Sequence, residues 1–151
     1  MANLGDFFSE EQRAAHSLRA LVVGTLVRSP VPDTTPPKFK FWVIIGFADE
    51  GAEMGVVYLN TQPNAFIQRN PVLAALQMPV RHDARNLVDY DCYADCTELK
   101  RKSTAAIQQQ LADEPAFVRG ILEPAELAVL QAALRTSPKI SPRDKKRFGI
   151  W

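Results

Sequence analysis

The sequence predicts an α+β fold, a small antiparallel barrel or curled sheet covered by helices, and three observations carry that expectation over a doubly wound parallel sheet. Runs rich in β-branched and aromatic residues crowd the earlier part of the chain, around residues 21–27, 39–45 and 54–60. Turn-forming Pro, Gly, Asn and Asp clusters separate these runs, as in an antiparallel meander. Helix signals come last, with Ser103 and Pro124 each placed to start a helix.

With 151 residues, the chain is long enough for one domain with its own core and short for two. The expected layout is a helical extension over 1–20, a barrel with helices over 21–134 and a basic tail over 135–151. Hydrophobic residues make up 46% and charged ones 23%, the balance of an ordinary globular protein. No apolar stretch approaches the roughly 20 residues that span a bilayer. The first residues show no basic region leading into an apolar core, so a cytoplasmic location is expected.

Taken in order, Ser9 and Gln12 form a capping-box pattern before a short helix over about 10–18. The first strand comes next at 21–27 and gives out at Arg28-Ser29-Pro30. Pro30, Pro32, Pro36 and Pro37 then make an extended loop. Lys38-Phe39-Lys40 runs into the apolar segment Phe41-Trp42-Val43-Ile44-Ile45, Asp49-Glu50-Gly51 turns the chain, and residues 54–60 return. Residues 61–80 read as a loop with one helical turn before a short strand at 77–80. Residues 89–99 hold the last strand, whose imperfect alternation suggests a bulge or burial on both faces. Ser103 caps a helix to about Leu111, Pro115 interrupts it, and Leu127, Leu130 and Leu134 form the apolar stripe of a second helix.

The segment at 38–45 carries the main chemical hint. Strand side chains alternate with a period of two, so Lys38 and Lys40 emerge on one face at the mouth of the core. Such a rim suits a phosphate; equally, edge lysines solubilise a strand end and discourage pairing. The apolar run behind it has no polar alternate, so both faces should be covered, one by the core and one by a helix or a second subunit.

Other features admit two readings. The formal charge of +1 argues for no polyanionic partner, but the tail concentrates Arg135, Lys139, Arg143, Lys145, Lys146 and Arg147 against Asp144. It suits either phosphate contacts or a solvated or packed terminus. Cys92 and Cys96 lie four apart, roughly 13 Å along a strand and too far for a disulfide without a bend. Near them His82, Asp91 and Asp95 match no zinc spacing, so buried free thiols are expected and no metal or cofactor. His82 beside Asp83 is a general acid–base pair or a chance surface neighbourhood. No glycine-rich phosphate loop, dinucleotide fingerprint or nucleophile elbow is present.

The order of segments resembles the PemK/MazF-like toxin family of SH3-like barrels. Gly24-Thr25-Leu26-Val27 looks like its glycine-led first strand, and the segment at 38–45 like its basic lead-in to an apolar strand. Leu59-Asn60-Thr61 sits where the family has a hydroxyl residue, and the segments at 92–99 and 120–127 are similar to its late strand and the glycine before its final helix. Lys40 stands where arginine is usual and Phe41 where proline is usual; the proline-rich loop, the N-terminal helix and the tail are additions.

The resemblance implies a toxin-like endoribonuclease that cleaves single-stranded RNA without a metal by attack of the ribose 2′-hydroxyl on the adjacent phosphate. It implies Lys40 and Thr61 as catalytic residues, with Lys38, Asn60 and Arg28 binding substrate. Thr61 has an alternative role in capping the turn before Pro63. Trp42, Tyr58 and Phe66 are candidates for stacking on unpaired bases, with core packing the competing role for Trp42. A homodimer and a cognate antitoxin protein complete the expectation. The alternatives are a barrel that has lost catalysis and binds protein or nucleic acid, and a pure interaction partner that docks through its tail.

Overall fold

The computed structural model describes residues 21–150. The expected helix over 10–18 lies outside the described residues. Residues 21–150 form a mixed α+β fold built on an antiparallel, strongly curled half-barrel sheet. The strands are β1 (Thr25–Val31), β2 (Lys38–Ala48), β3 (Glu53–Asn60), β4 (Gln77–Val80), β5 (Cys92–Asp95), β6 (Lys100–Ser103) and β7 (Val118–Ile121). The helices are α1 (Ala65–Arg69), α2 (Pro71–Ala74), α3 (Thr104–Asp113), α4 (Pro124–Thr136) and α5 (Pro142–Arg147).

β1, β2 and β3 form the expected meander, and the full order is β4-β5-β3-β2-β1-β7. The free side of β3 is shared, β5 pairing near its end at Leu59 and Asn60 and β6 along Glu53–Val56.

The first strand begins and ends later than its composition suggests. Gly24 has a φ of 97°, and Thr25 closes a turn onto Val22, its hydroxyl donating to the Val22 carbonyl at 2.7 Å. The strand then runs through Ser29-Pro30 because β7 pairs with it only to Val27. Beyond that point β1 is an edge, the position where a sheet tolerates proline.

β5 is shorter than the expected strand at 89–99. Asp95 Oδ1 accepts from the Thr97 backbone N–H at 3.1 Å and the Thr97 hydroxyl at 2.6 Å, which bends the chain out of the strand. The chain re-enters the sheet as β6, whose Lys-Arg-Lys-Ser sequence has no strand propensity of its own. β6 and β7 are four-residue strands made by pairing rather than by composition.

The helix caps agree closely with the sequence. The Ser103 hydroxyl accepts from the Ala106 backbone N–H, and Pro124 opens α4 behind a Glu123–Glu126 capping box. Between β3 and β4 there are two short helices rather than one turn, capped by Asn64 and Asn70.

The sheet is covered on both faces from within the chain. On one face Val27, Trp42, Ile44, Met54 and Val56 pack against Ile107 and Leu111 of α3. On the other, Leu26, Phe41, Val43, Val57 and Leu59 pack against Leu130, Ala133 and Leu134 of α4. The apolar run of β2 therefore does not call for a second subunit.

The C-terminal segment takes the packed one of its expected alternatives, through apolar residues that join the core. Ile140 and Ile150 join the α4 side of the core, and Phe148 is buried as well. Gly46 and Gly55 face each other across β2 and β3, and a Cβ on Gly46 would overlap the Phe148 carbonyl oxygen. A Cβ on Gly55 would come within 3.0 Å of the Phe148 and Leu99 side chains. This glycine pair is the seat on which the chain end packs.

Among the described residues no helix is long and apolar enough to cross a membrane.

Candidate functional site

At the open end of the β2–β3 hairpin a pocket of about 210 Å³ is lined by Asp33, Thr34, Lys40, Tyr58, Asn60, Asp95, Glu98 and Lys100. The alternation of the strands explains its composition. Lys40, Tyr58 and Asn60 share the face of Trp42, because Trp42 pairs with Tyr58 and the strands continue outward from there. Lys100 and Lys102 project from β6 on the same face, through their pairing with Val56 and Met54.

Asn60 holds Lys40 in place, Nζ donating to Asn60 Oδ1 at 2.7 Å. Lys102 Nζ donates to the Tyr58 hydroxyl at 3.0 Å, and that hydroxyl donates to Asp33 Oδ1 at 2.8 Å. Lys100 Nζ stands 3.8 Å from Asp33 Oδ2 and 3.3 Å from Glu98 Oε2. The ammonium groups of Lys40, Lys100 and Lys102 lie 5.8, 5.7 and 5.1 Å from the centre of the Tyr58 ring. Three cations thus surround one phenol.

Burial pushes the Lys40 ammonium below the ordinary lysine range, and the charges of Lys38 and Lys100 push it further. Burial likewise lowers Lys102. Burial and the hydrogen bond to Asp33 raise the Tyr58 hydroxyl well above its usual value, which keeps it a neutral donor. Burial by itself would raise Asp33, but the Tyr58 hydrogen bond and the Lys102 and Lys100 charges carry it below the usual carboxylate range. The site therefore holds a stable carboxylate next to lysines that give up protons more readily than usual.

The residues expected from the sequence separate here. Lys40 and Asn60 are in the pocket. Lys38 is exposed on the same face, and its backbone N–H donates to Thr34 Oγ1 at 2.7 Å. Thr61 is exposed just beyond β3 and does not line the pocket. Arg28 pairs in register with Phe41 and so lies on the opposite face, its guanidinium carbon 4.7 Å from the Phe39 ring centre and 5.8 Å from that of Phe41. Trp42 is fully buried, with Nε1 donating to Ser29 Oγ at 2.9 Å, and Phe66 is exposed on α1, away from the pocket lining.

The remaining candidates resolve simply. Asp83 is taken by Arg85, which also pairs with Glu126, and His82 Nε2 sits 3.0 Å from Asn86 Oδ1. His82 and Asp83 thus form no acid–base pair. Cys92 and Cys96 are buried and free, and burial pushes their thiols up to about 11 and about 12. Among the described residues no group of three or more His, Cys, Asp and Glu side chains is arranged to hold a metal ion.

Asp33, Lys100 and Lys102 are site residues that the sequence does not single out. The lysines carry a findable signal, since Lys100-x-Lys102 repeats the period-two spacing of Lys38-x-Lys40. Asp33 carries none, because its place depends on how the proline-rich loop folds back.

Chemically, the pocket offers the Lys40 and Lys100 ammonium groups, a phenol and an amide to an oxyanion, with Lys102 hydrogen-bonded to that phenol and carboxylates in the lining to accept a proton. No family model, no curated protein and no solved structure matches this chain.

Proposed function

We propose that this protein is a toxin-like endoribonuclease of the PemK/MazF kind that cleaves single-stranded RNA without a metal, with the Lys40 pocket as its active site. One observation supports the pocket as a phosphate site above the rest. Lys40 and Lys102 are both partly buried, and neither makes an ion pair with a carboxylate among the described residues. Partly buried ammonium groups with no carboxylate in direct contact favour an incoming anion.

In this role Lys102, Lys100 and the Tyr58 hydroxyl hold the phosphoryl oxygens as charge develops on them. The ribose 2′-oxygen attacks phosphorus, its proton passing to the Asp95 carboxylate at the pocket wall. The 5′-oxygen leaves with a proton from Lys40, whose lowered pKa makes it a better acid than an ordinary lysine. The products are a 2′,3′-cyclic phosphate and a free 5′-hydroxyl. Asn60 orients Lys40, and Tyr58 takes the part that the sequence suggests for Thr61. A cytoplasmic setting, a homodimer and a cognate antitoxin belong to the same proposal.

A second reading, an inactive barrel that binds RNA or protein, is favoured by the internal hydrogen bonds. Lys40 already donates to Asn60 and Tyr58 to Asp33, so both must be released before they act.

Incubation with single-stranded RNA in the presence of a chelator separates the two. The enzyme reading expects cyclic phosphate ends and a loss of about a hundredfold or more in rate for Lys40→Met. Intact RNA bound in a Lys40-dependent way establishes the binding module instead, and RNA neither bound nor cut removes both.

A further inference from the structure

We infer that Asp33 is a built-in anion that occupies the phosphate position of the Lys40 pocket and must be displaced by any phosphate-bearing ligand. This rests on the pocket being an oxyanion site and adds how access to that site is controlled.

Three observations converge on Asp33. It accepts the hydrogen bond of the Tyr58 hydroxyl at 2.8 Å, and the same hydroxyl receives the Lys102 ammonium at 3.0 Å. Its second oxygen is 3.8 Å from Lys100, so the two carboxylate oxygens meet a phenol and an ammonium as two oxygens of a phosphate would. It also lines the pocket itself, together with its neighbour Thr34.

The carrier of this carboxylate is a short connection. Asp33 lies between β1 and β2, and the Thr34 hydroxyl links the two strand ends, accepting from the Lys38 N–H and donating to the Val31 carbonyl at 3.5 Å. Elsewhere the link is made of exposed residues, and Asp33 is the side chain that ties it down to the sheet face. A phosphate placed against Tyr58, Lys100 and Lys102 would meet that carboxylate at short range, and two anions cannot share the position. Either the ligand stays out or the link lifts.

The asymmetry of contacts makes the exchange feasible. Asp33 brings one negative charge and two oxygens, one to the Tyr58 hydroxyl and one 3.8 Å from Lys100, whereas a phosphodiester brings one charge and would also reach Lys40, which Asp33 does not. A ligand thus gains a contact that the internal carboxylate lacks.

Asp33→Asn tests this, since an amide oxygen still accepts from Tyr58 while the charge is gone. Titration calorimetry with inorganic phosphate and, separately, with a short 2′-deoxy oligonucleotide that resists cleavage distinguishes a free phosphate site from a nucleic-acid backbone site. The expected result is binding about tenfold tighter in Asp33→Asn than in wild type for at least one probe, with both proteins melting within a few degrees of each other. In wild-type protein the Lys38 backbone amide, which donates to Thr34 Oγ1, should exchange faster with solvent deuterium once the probe is bound. Equal or weaker binding by Asp33→Asn, or unchanged exchange at the Lys38 amide, overturns the inference while leaving the phosphate site in place. Absence of binding of either probe by both proteins overturns the phosphate site and the inference together.

Discussion

The two ends of the β2–β3 hairpin are built from the same pair of strands and do opposite things. At the open end, one step past the pairing of Phe41 with Leu59, Lys40 and Asn60 meet through their side chains and leave a pocket beside Tyr58. Near the turn, Gly46 and Gly55 oppose each other and leave nothing but backbone, on which Phe148 closes. Long polar side chains hold strands and solvent in contact; missing side chains let another piece of chain replace the solvent. The glycine end accordingly contributes stability, and the lysine end gives up some of it to keep partly buried charge available.

The largest effect should come from the glycine end. Phe148→Ala removes a ring with 2% of its surface exposed and is expected to lower the unfolding free energy by about 3–5 kcal/mol in urea denaturation at neutral pH. A loss below about 1 kcal/mol would mean that the chain end is not part of the core. Next, Gly46→Ala places a methyl against the Phe148 carbonyl, which is backbone and yields poorly. A loss of about 2–3 kcal/mol is expected by the same measurement.

Between the two ends, Ser29→Ala orphans the buried Trp42 Nε1–H and should cost about 1–3 kcal/mol, with a shift in Trp42 fluorescence. This variant probes the core beneath the pocket without touching its lining.

The smallest effect on stability is expected at the lysine end. Lys40→Met should change the unfolding free energy by less than about 1 kcal/mol near pH 7, in either direction. The sign with pH is sharper. The folded state lowers the Lys40 pKa, so the unfolded chain binds the proton more tightly. The resulting penalty is complete at neutral pH and is relieved as the pH rises toward and past the ordinary lysine value of about 10.4. Wild type should therefore gain stability relative to Lys40→Met as the pH is raised from neutral toward about 10.4. A gap that moves the other way would show that the pocket favours the charged lysine.

Much of the scaffold is legible in the residues themselves. The turn at Asp49-Glu50-Gly51, the strand at Gln77–Val80, the Ser103 cap and the Pro124 helix start lie where local chemistry puts them. β6 and β7 are not legible, since their residues become strands by finding β3 and β1 as partners. The folded chain end is hidden for a related reason. Its basic residues leave phosphate contacts, a solvated end and a packed end all open, while Ile140, Phe148 and Ile150 are too few and too scattered to announce a helix and a core contact.

The candidate site divides along the same line. The period of two in a strand is enough to put Lys38 and Lys40 on one face, and the length of the apolar run is enough to require cover on both. That α3 and α4 supply that cover, that Arg28 falls on the far face and that Thr61 stays outside emerge only when the chain is folded. Folding alone brings Asp33 to Tyr58 across 25 positions of sequence and Lys102 to the same hydroxyl across 44. The physical reason is that alternation and capping are properties of neighbouring residues, whereas a pocket forms where distant strands come into register and their side chains meet.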